Sequence, residues 1–145
     1  MLIAADGLAA ILHNPLITEL CYNWHMKLRI ANPSSEWGSY HNRIVDTVSP
    51  DPFFLEGGPV KDGEIFIRYS SRTKNKGMKV DPIPLTCLLP EPPVGKNKQF
   101  TLIRGDLMGS VHTTMTARKD GTDITTMEGK KFARADTCMI INKAV

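Results

Sequence analysis

Paired cysteines are missing. Cys21, Cys87 and Cys138 form an odd set with no CxxC spacing, which argues against both a disulfide framework and a zinc site. Long apolar runs are missing too, since none reaches the ~18 residues that a membrane-spanning helix needs. The opening MLIAADGLAAIL lacks a basic flank and carries Asp6, so it does not read as a signal peptide. A nuclear location, or alternatively a cytoplasmic one, is expected by elimination. Nor is there a strong excess of charge: 18 Lys and Arg stand against 15 Asp and Glu, so any polyanion site must come from how the charges are distributed. Recognisable catalytic patterns are absent as well. The chain holds no GxSxG, no Walker-type phosphate loop and no HExxH. His13, His25, His41 and His112 are scattered without a partner at metal-ligand spacing. Glu56 and Glu91 are isolated among prolines and glycines, so paired-carboxylate chemistry has no scaffold. The expectation is a protein that is not an enzyme, with no cofactor, metal or small-molecule substrate and no membrane partner.

What is present is an ordinary globular composition, 41% hydrophobic and 23% charged over 145 residues, enough for one domain or two very small ones. Leu16, Ile17, Leu20, Cys21 and Trp24 repeat at helical spacing, and Asn14 followed by Pro15 marks a helix start. The expected helix runs from Pro15 to Trp24 and, with the Ala-rich stretch before it, covers an open barrel end. Beyond it the apolar residues come in short alternating runs bounded by turn formers. Strands are expected at Lys27 to Ala31, Arg43 to Val48, Glu64 to Tyr69, Pro84 to Leu89, Phe100 to Arg104, Val111 to Ala117, Asp123 to Met127 and Thr137 to Asn142. Lys119-Asp120-Gly121-Thr122 is a hairpin-turn signal. Pro90 to Lys98, reading PEPPVGKNK, is expected to be a linker, semi-extended at its prolines and looser at Gly95. The predicted fold class is all-β: a helical lead-in over 1–26, a first SH3-like barrel with loop insertions over 27–91, and a second over 96–145. Trp24 is expected in the core, and Trp37 as a barrel plug or an exposed contact ring.

The two halves echo one another. Gly38-Ser39-Tyr40-His41 matches Gly109-Ser110-Val111-His112, and Leu85-Thr86-Cys87-Leu88-Leu89 matches Asp136-Thr137-Cys138-Met139-Ile140, in the same order. His41 and His112 are therefore expected at equivalent positions, and the first copy is expected to carry an insertion in its loops, which tolerate length at small entropic cost.

Phe100 to Gly105, followed by Asp106-Leu107-Met108-Gly109-Ser110-Val111-His112, resembles the KOW motif of ribosomal proteins and NusG-related transcription elongation factors, in particular the fungal elongation-factor-like proteins. The motif's usual third glycine is His112 here, and the basic residue often found before Gly109 is Met108. The resemblance implies tandem SH3-like barrels, and as partners RNA polymerase or associated transcription machinery, RNA or DNA. Elongation factors of this type are much longer, so it also implies a fragment or a degenerate copy.

The candidate nucleic-acid surface is the run Arg68, Arg72, Lys74, Lys76 and Lys79, with no acid between Glu64 and Asp81. Such a loop suits phosphate neutralisation, with Tyr69 as a stacking ring, although a solvated loop or docking on an acidic protein surface would use the same residues. Arg104, Lys130 and Lys131 extend the candidate surface into the second half. A pure peptide-binding module with an incidental basic loop is the alternative function.

Overall fold

The computed structural model describes residues 5–71 and 77–143. Two short helices lead in, α1 (Ala5–His13) and α2 (Pro15–Leu20). The start of α2 is as the sequence predicts: the Leu16 N–H donates to Asn14 Oδ1 at 2.9 Å, and Pro15 takes the first position, where a missing N–H costs nothing. The expected extension to Trp24 does not occur. The chain closes a tight turn, with Tyr22 N–H bonding the Glu19 carbonyl and Asn23 N–H the Leu20 carbonyl, and Trp24 begins a strand instead. Long-range sheet pairing of Trp24 to Met26 has overridden a locally helical pattern. Leu8, Ile11 and Leu12 of α1 and Ile17 and Leu20 of α2 are buried in the main core, while Leu16 is left 55% exposed.

The rest is antiparallel β-structure. The strands are β1 (Trp24–Ile30), β2 (Ile44–Thr47), β3 (Phe54–Leu55), β4 (Gly58–Pro59), β5 (Glu64–Ser70), β6 (Met78–Pro84), β7 (Leu88–Pro90), β8 (Gln99–Leu102), β9 (Val111–Ala117), β10 (Asp123–Thr126), β11 (Lys131–Ala133) and β12 (Thr137–Asn142). Ten of them form one sheet in the order β11-β10-β9-β8-β12-β1-β2-β5-β6, with β7 also beside β1, and β3 and β4 make a separate hairpin. The path is open rather than closed on itself. It is also continuous where two separate barrels were expected, because β1 gives Trp24–Met26 to β12 and Leu28–Ile30 to β7 along the same edge. The segment expected as a strand from Pro84 to Leu89 is a 3-10 turn, Leu85–Cys87, followed by β7. Strand β6, with two prolines, was not expected; it lies at an end of the path, where a missing donor is tolerated.

Within this single sheet the strand order repeats. The first unit runs β7-β1-β2-β5-β6 and the second β12-β8-β9-β10-β11, each with a 3-10 turn (Leu85–Cys87, Arg134–Asp136) before a last strand that returns beside the first. Matching hydrogen bonds set the correspondence. Asn42 N–H bonds the Ile30 carbonyl at 2.7 Å and Gly109 N–H bonds Leu102 at 2.8 Å, each donor with positive φ (65° and 84°). Ala31 N–H bonds Cys87 as Ile103 N–H bonds Asp136, and Leu85 N–H bonds Gly63 as Arg134 N–H bonds Thr122. This register differs from the sequence echo. Leu88 answers to Thr137, not Met139, and Gly109 answers to Asn42, not Gly38. His41 and His112 are therefore not equivalent: His41 sits exposed in a turn and His112 lies within β9. Matching letters placed the turns in the right order but misaligned them, because the shared feature is a positive-φ backbone site that Asn and Gly both accept. Much of the first unit's extra length lies in 48–63, which carries the β3–β4 hairpin.

The main core gathers α1, α2 and the first unit, and extends to Ile103, Cys138 and Ile140; a smaller one holds Phe100, Leu102, Ala117 and Ile124, with Phe132 against it. The expected loose linker is pinned. Glu91 N–H donates to the Lys27 carbonyl, its own carbonyl accepts from Met139 N–H at 2.7 Å, and Gly95 and Asn97 N–H groups bond Ala117 and Thr114. Prolines deny the segment a strand of its own, so its remaining N–H groups take partners from both units.

Candidate binding cleft

The predicted basic surface is only partly within view, and its visible members are dispersed. Arg72, Lys74 and Lys76 lie outside the described residues. Arg68 is on β5, its Nε 3.0 Å from Asp46 Oδ2, while the Lys27 ammonium is 2.7 Å from Asp46 Oδ1. Those two cations neutralise one carboxylate across three strands. Tyr69 does not offer a stacking face. It is 6% exposed, meets Trp37 and Tyr40 edge to face at 5.1 and 5.2 Å, and donates its hydroxyl to Asp81 Oδ2. The alternating strand pattern turns odd positions of β5 inward, which is why Ile65, Ile67 and Tyr69 are buried. Burial and the Asp81 carboxylate both raise the Tyr69 pKa, so the phenol stays protonated. Trp37 is likewise core rather than a contact ring.

Lys79 is exposed on β6, and Lys131 is exposed on β11 with Lys130 in the turn before it. Those strands are the opposite ends of the sheet path. Arg104 is half-buried, 3.6 Å from Asp136. His112 packs against Phe100 and Phe132, with Nε2 2.8 Å from Ser110 Oγ, and burial lowers its pKa.

A concave site does form, at the fork where β7 and β12 part from their common neighbour β1. The Glu91–Met139 hydrogen bond is the vertex, and the cleft that opens there measures about 630 Å³. Its aliphatic lining is Leu89, Pro90 and Pro92 from the first unit and its linker and Ala133 and Ala135 from the second. The lining carries a part-buried ion pair in fork geometry: Arg29 Nε to Glu91 Oε2 at 2.6 Å and Nη2 to Oε1 at 2.9 Å. The third arm, Nη1, donates to the Asn42 carbonyl at 3.0 Å. Two further cations stand on the rim, Lys119 and Arg134. Arg134 is held in place because Nη1 donates to the carbonyls of Arg118 (2.9 Å) and Lys119. With Glu91 paired to Arg29, Lys119 and Arg134 are cations with no carboxylate partner in the described lining.

Sequence reasoning assigns none of these cleft residues to a binding site. Lys119 was read only as part of a hairpin turn, and Arg29 and Arg134 lie far apart in the chain with nothing local to link them. The signal that was available is Glu91, a lone carboxylate among prolines, which is buried here because a distant arginine meets it.

Comparison with protein-family models finds no match, and comparison with curated proteins finds none either.

Proposed function

We propose that the chain is a non-enzymatic tandem binding protein of the KOW type, acting by contact with RNA polymerase or its associated proteins in the nucleus. The observation that carries this reading is the repeat of one five-stranded order, with a 3-10 turn before each returning strand. It supports two SH3-like units in tandem. The turn inside the KOW-like segment supports it as well: Gly105 and Gly109 both adopt positive φ between β8 and β9, where a side chain would be strained.

Within that reading, protein contact is favoured over naked nucleic acid. Arg68, Arg104 and Lys27 face carboxylates, Tyr69 is buried, and the one cleft described has aliphatic walls. The test is retention of the chain by purified RNA polymerase and by single-stranded RNA, each at low and moderate ionic strength, for wild type and Lys74→Ala/Lys76→Ala. Polymerase retention that persists with salt is expected. RNA binding that falls steeply with salt and is lost in the double variant would restore the basic-loop reading. Failure to retain either would remove the KOW reading.

A further inference from the structure

We infer that the cleft between the two units binds an extended acidic segment of a partner protein, seating a carboxylate between Lys119 and Arg134. The inference rests on the binding-module reading and names the site and the chemistry it takes. Three observations lead to it.

The first is charge. The cleft is lined by Arg29, Lys119, Arg134 and Glu91, and Glu91 is paired bidentately with Arg29. Lys119 and Arg134 have no carboxylate partner among the described residues; the nearby acids Asp120 and Asp136 lie 3.5 Å from Arg118 and 3.6 Å from Arg104 instead. Arg134 is already oriented by two backbone carbonyls, so little conformational freedom is lost when it takes an anion. Guanidinium groups held in this way favour planar carboxylates through paired hydrogen bonds.

The second is shape and polarity. Leu89, Pro90 and Pro92 of the first unit and its linker line the cleft together with Ala133 and Ala135 of the second, a short aliphatic lining that suits an extended chain with small or branched side chains between its acids. Single-stranded nucleic acid, the other polyanion, gains most of its non-electrostatic affinity from aromatic stacking, and among the described residues no aromatic side chain lines this cleft. That decides between the two polyanions.

The third is the free edge. Among the described residues β11 pairs with β10 alone and β7 with β1 alone, so both flanks of the cleft present strand edges. An extended segment can bond to such an edge while its alternate side chains enter the slot. The pinned linker holds the two units together beside the cleft, because Glu91 is bonded to Lys27 on one side and Met139 on the other.

The experiment is fluorescence anisotropy with a labelled peptide of repeating Glu-Leu-Glu-Pro, alongside the matching Lys-Leu-Lys-Pro peptide and labelled oligouridylate. The full chain is compared with Lys119→Glu and Lys61→Glu. The Lys119 side chain is exposed and its hold on Arg134 is through the backbone carbonyl, so its reversal leaves the fold intact; Lys61 is an exposed lysine just before β5, away from both the cleft and its flanking edges. The acidic peptide is expected to bind wild type and Lys61→Glu alike and to weaken about tenfold or more in Lys119→Glu, as reversal of one contacting charge implies. In amide spectra, the peptide is expected to shift Leu89, Ala133 and Ala135. Equal binding by all three proteins, shifts confined to other residues, or preference for oligouridylate would each overturn the inference. Retention of wild type by polymerase while the acidic peptide fails to bind wild type would overturn the cleft alone and leave the binding-module reading standing.

Discussion

Replacing Glu91 by Gln tests whether the junction between the two units depends on charge as well as on backbone hydrogen bonds. The substitution preserves size and leaves the backbone bonds to Lys27 and Met139 in place, so any loss reports on the side chain. In the native protein that carboxylate accepts two charge-assisted bonds from Arg29, at 2.6 and 2.9 Å, each contributing about 1.5–3 kcal/mol. The amide keeps one acceptor oxygen but turns an NH2 group toward a guanidinium that only donates, so one bond and the charge attraction are lost. Discounting is needed because Arg29 keeps 33% of its side-chain surface in water while Glu91 keeps 7%, and the freed guanidinium recovers part of its hydration. A loss of about 2 kcal/mol remains, equivalent to a fall in Tm of roughly 4–8 °C for a chain of this size. Urea unfolding followed by tryptophan fluorescence measures it, with an unchanged m-value showing that the folded and unfolded states are otherwise the same. Asp120→Asn is the control, since its pair with Arg118 is 74% and 80% exposed and should matter by less than about 0.5 kcal/mol. A Glu91→Gln midpoint indistinguishable from wild type would refute the argument that this ion pair steadies the segment from which the backbone bond to Met139 is made.

Gly109→Ala should destabilise by about 2–3 kcal/mol on the same assay, because the residue has φ of 84° and an added Cβ would meet Leu16 Cβ and its carbonyl oxygen at 3.0 Å; Gly129→Ala, at a similar φ but in open space, should cost less, and equality would remove the packing component. Stability should fall on mild acidification. Burial holds the imidazoles of His25 and His112 below the ordinary value of 6.5, so the unfolded chain takes up protons first. Their contribution is complete above pH ~6.5, is lost as pH drops through that value, and levels off below the folded-state values. A His25→Leu/His112→Leu variant should show a flatter profile between pH 7 and 5, and an unchanged slope would show that other groups carry the effect. Native thiols should be inert to an aromatic disulfide reagent at neutral pH and react on denaturation, since burial raises Cys21 to about 11 and Cys138 to about 12 and Cys87 is 2% exposed; rapid labelling of the folded protein would contradict that packing.

Much of the local structure is legible in the residues because it depends on near neighbours. Val111 to Ala117 and Thr137 to Asn142 are short runs set off by turn formers and form strands with those bounds, and Asn14-Pro15 starts a helix for reasons contained in two residues. Trp24 misled because its spacing continues the helical face while β12, more than a hundred residues away, offers a better partner. Strand β6 was obscured by its prolines, which only an edge position allows. Tyr69 looked available because its neighbours are basic; pairing of β5 with β6 turns it inward to Asp81.

The sequence by itself determined that the chain is mainly antiparallel β-structure behind a capped helix, since period and turn chemistry are properties of short stretches. Tertiary structure alone decided that ten strands share one sheet, that Glu91 is bonded between the two units, and that Arg29, Lys119 and Arg134 border one cleft. Those facts depend on which strands sit side by side. Strand pairing is chosen by the combined burial of residues drawn from the whole chain, and no local pattern records it.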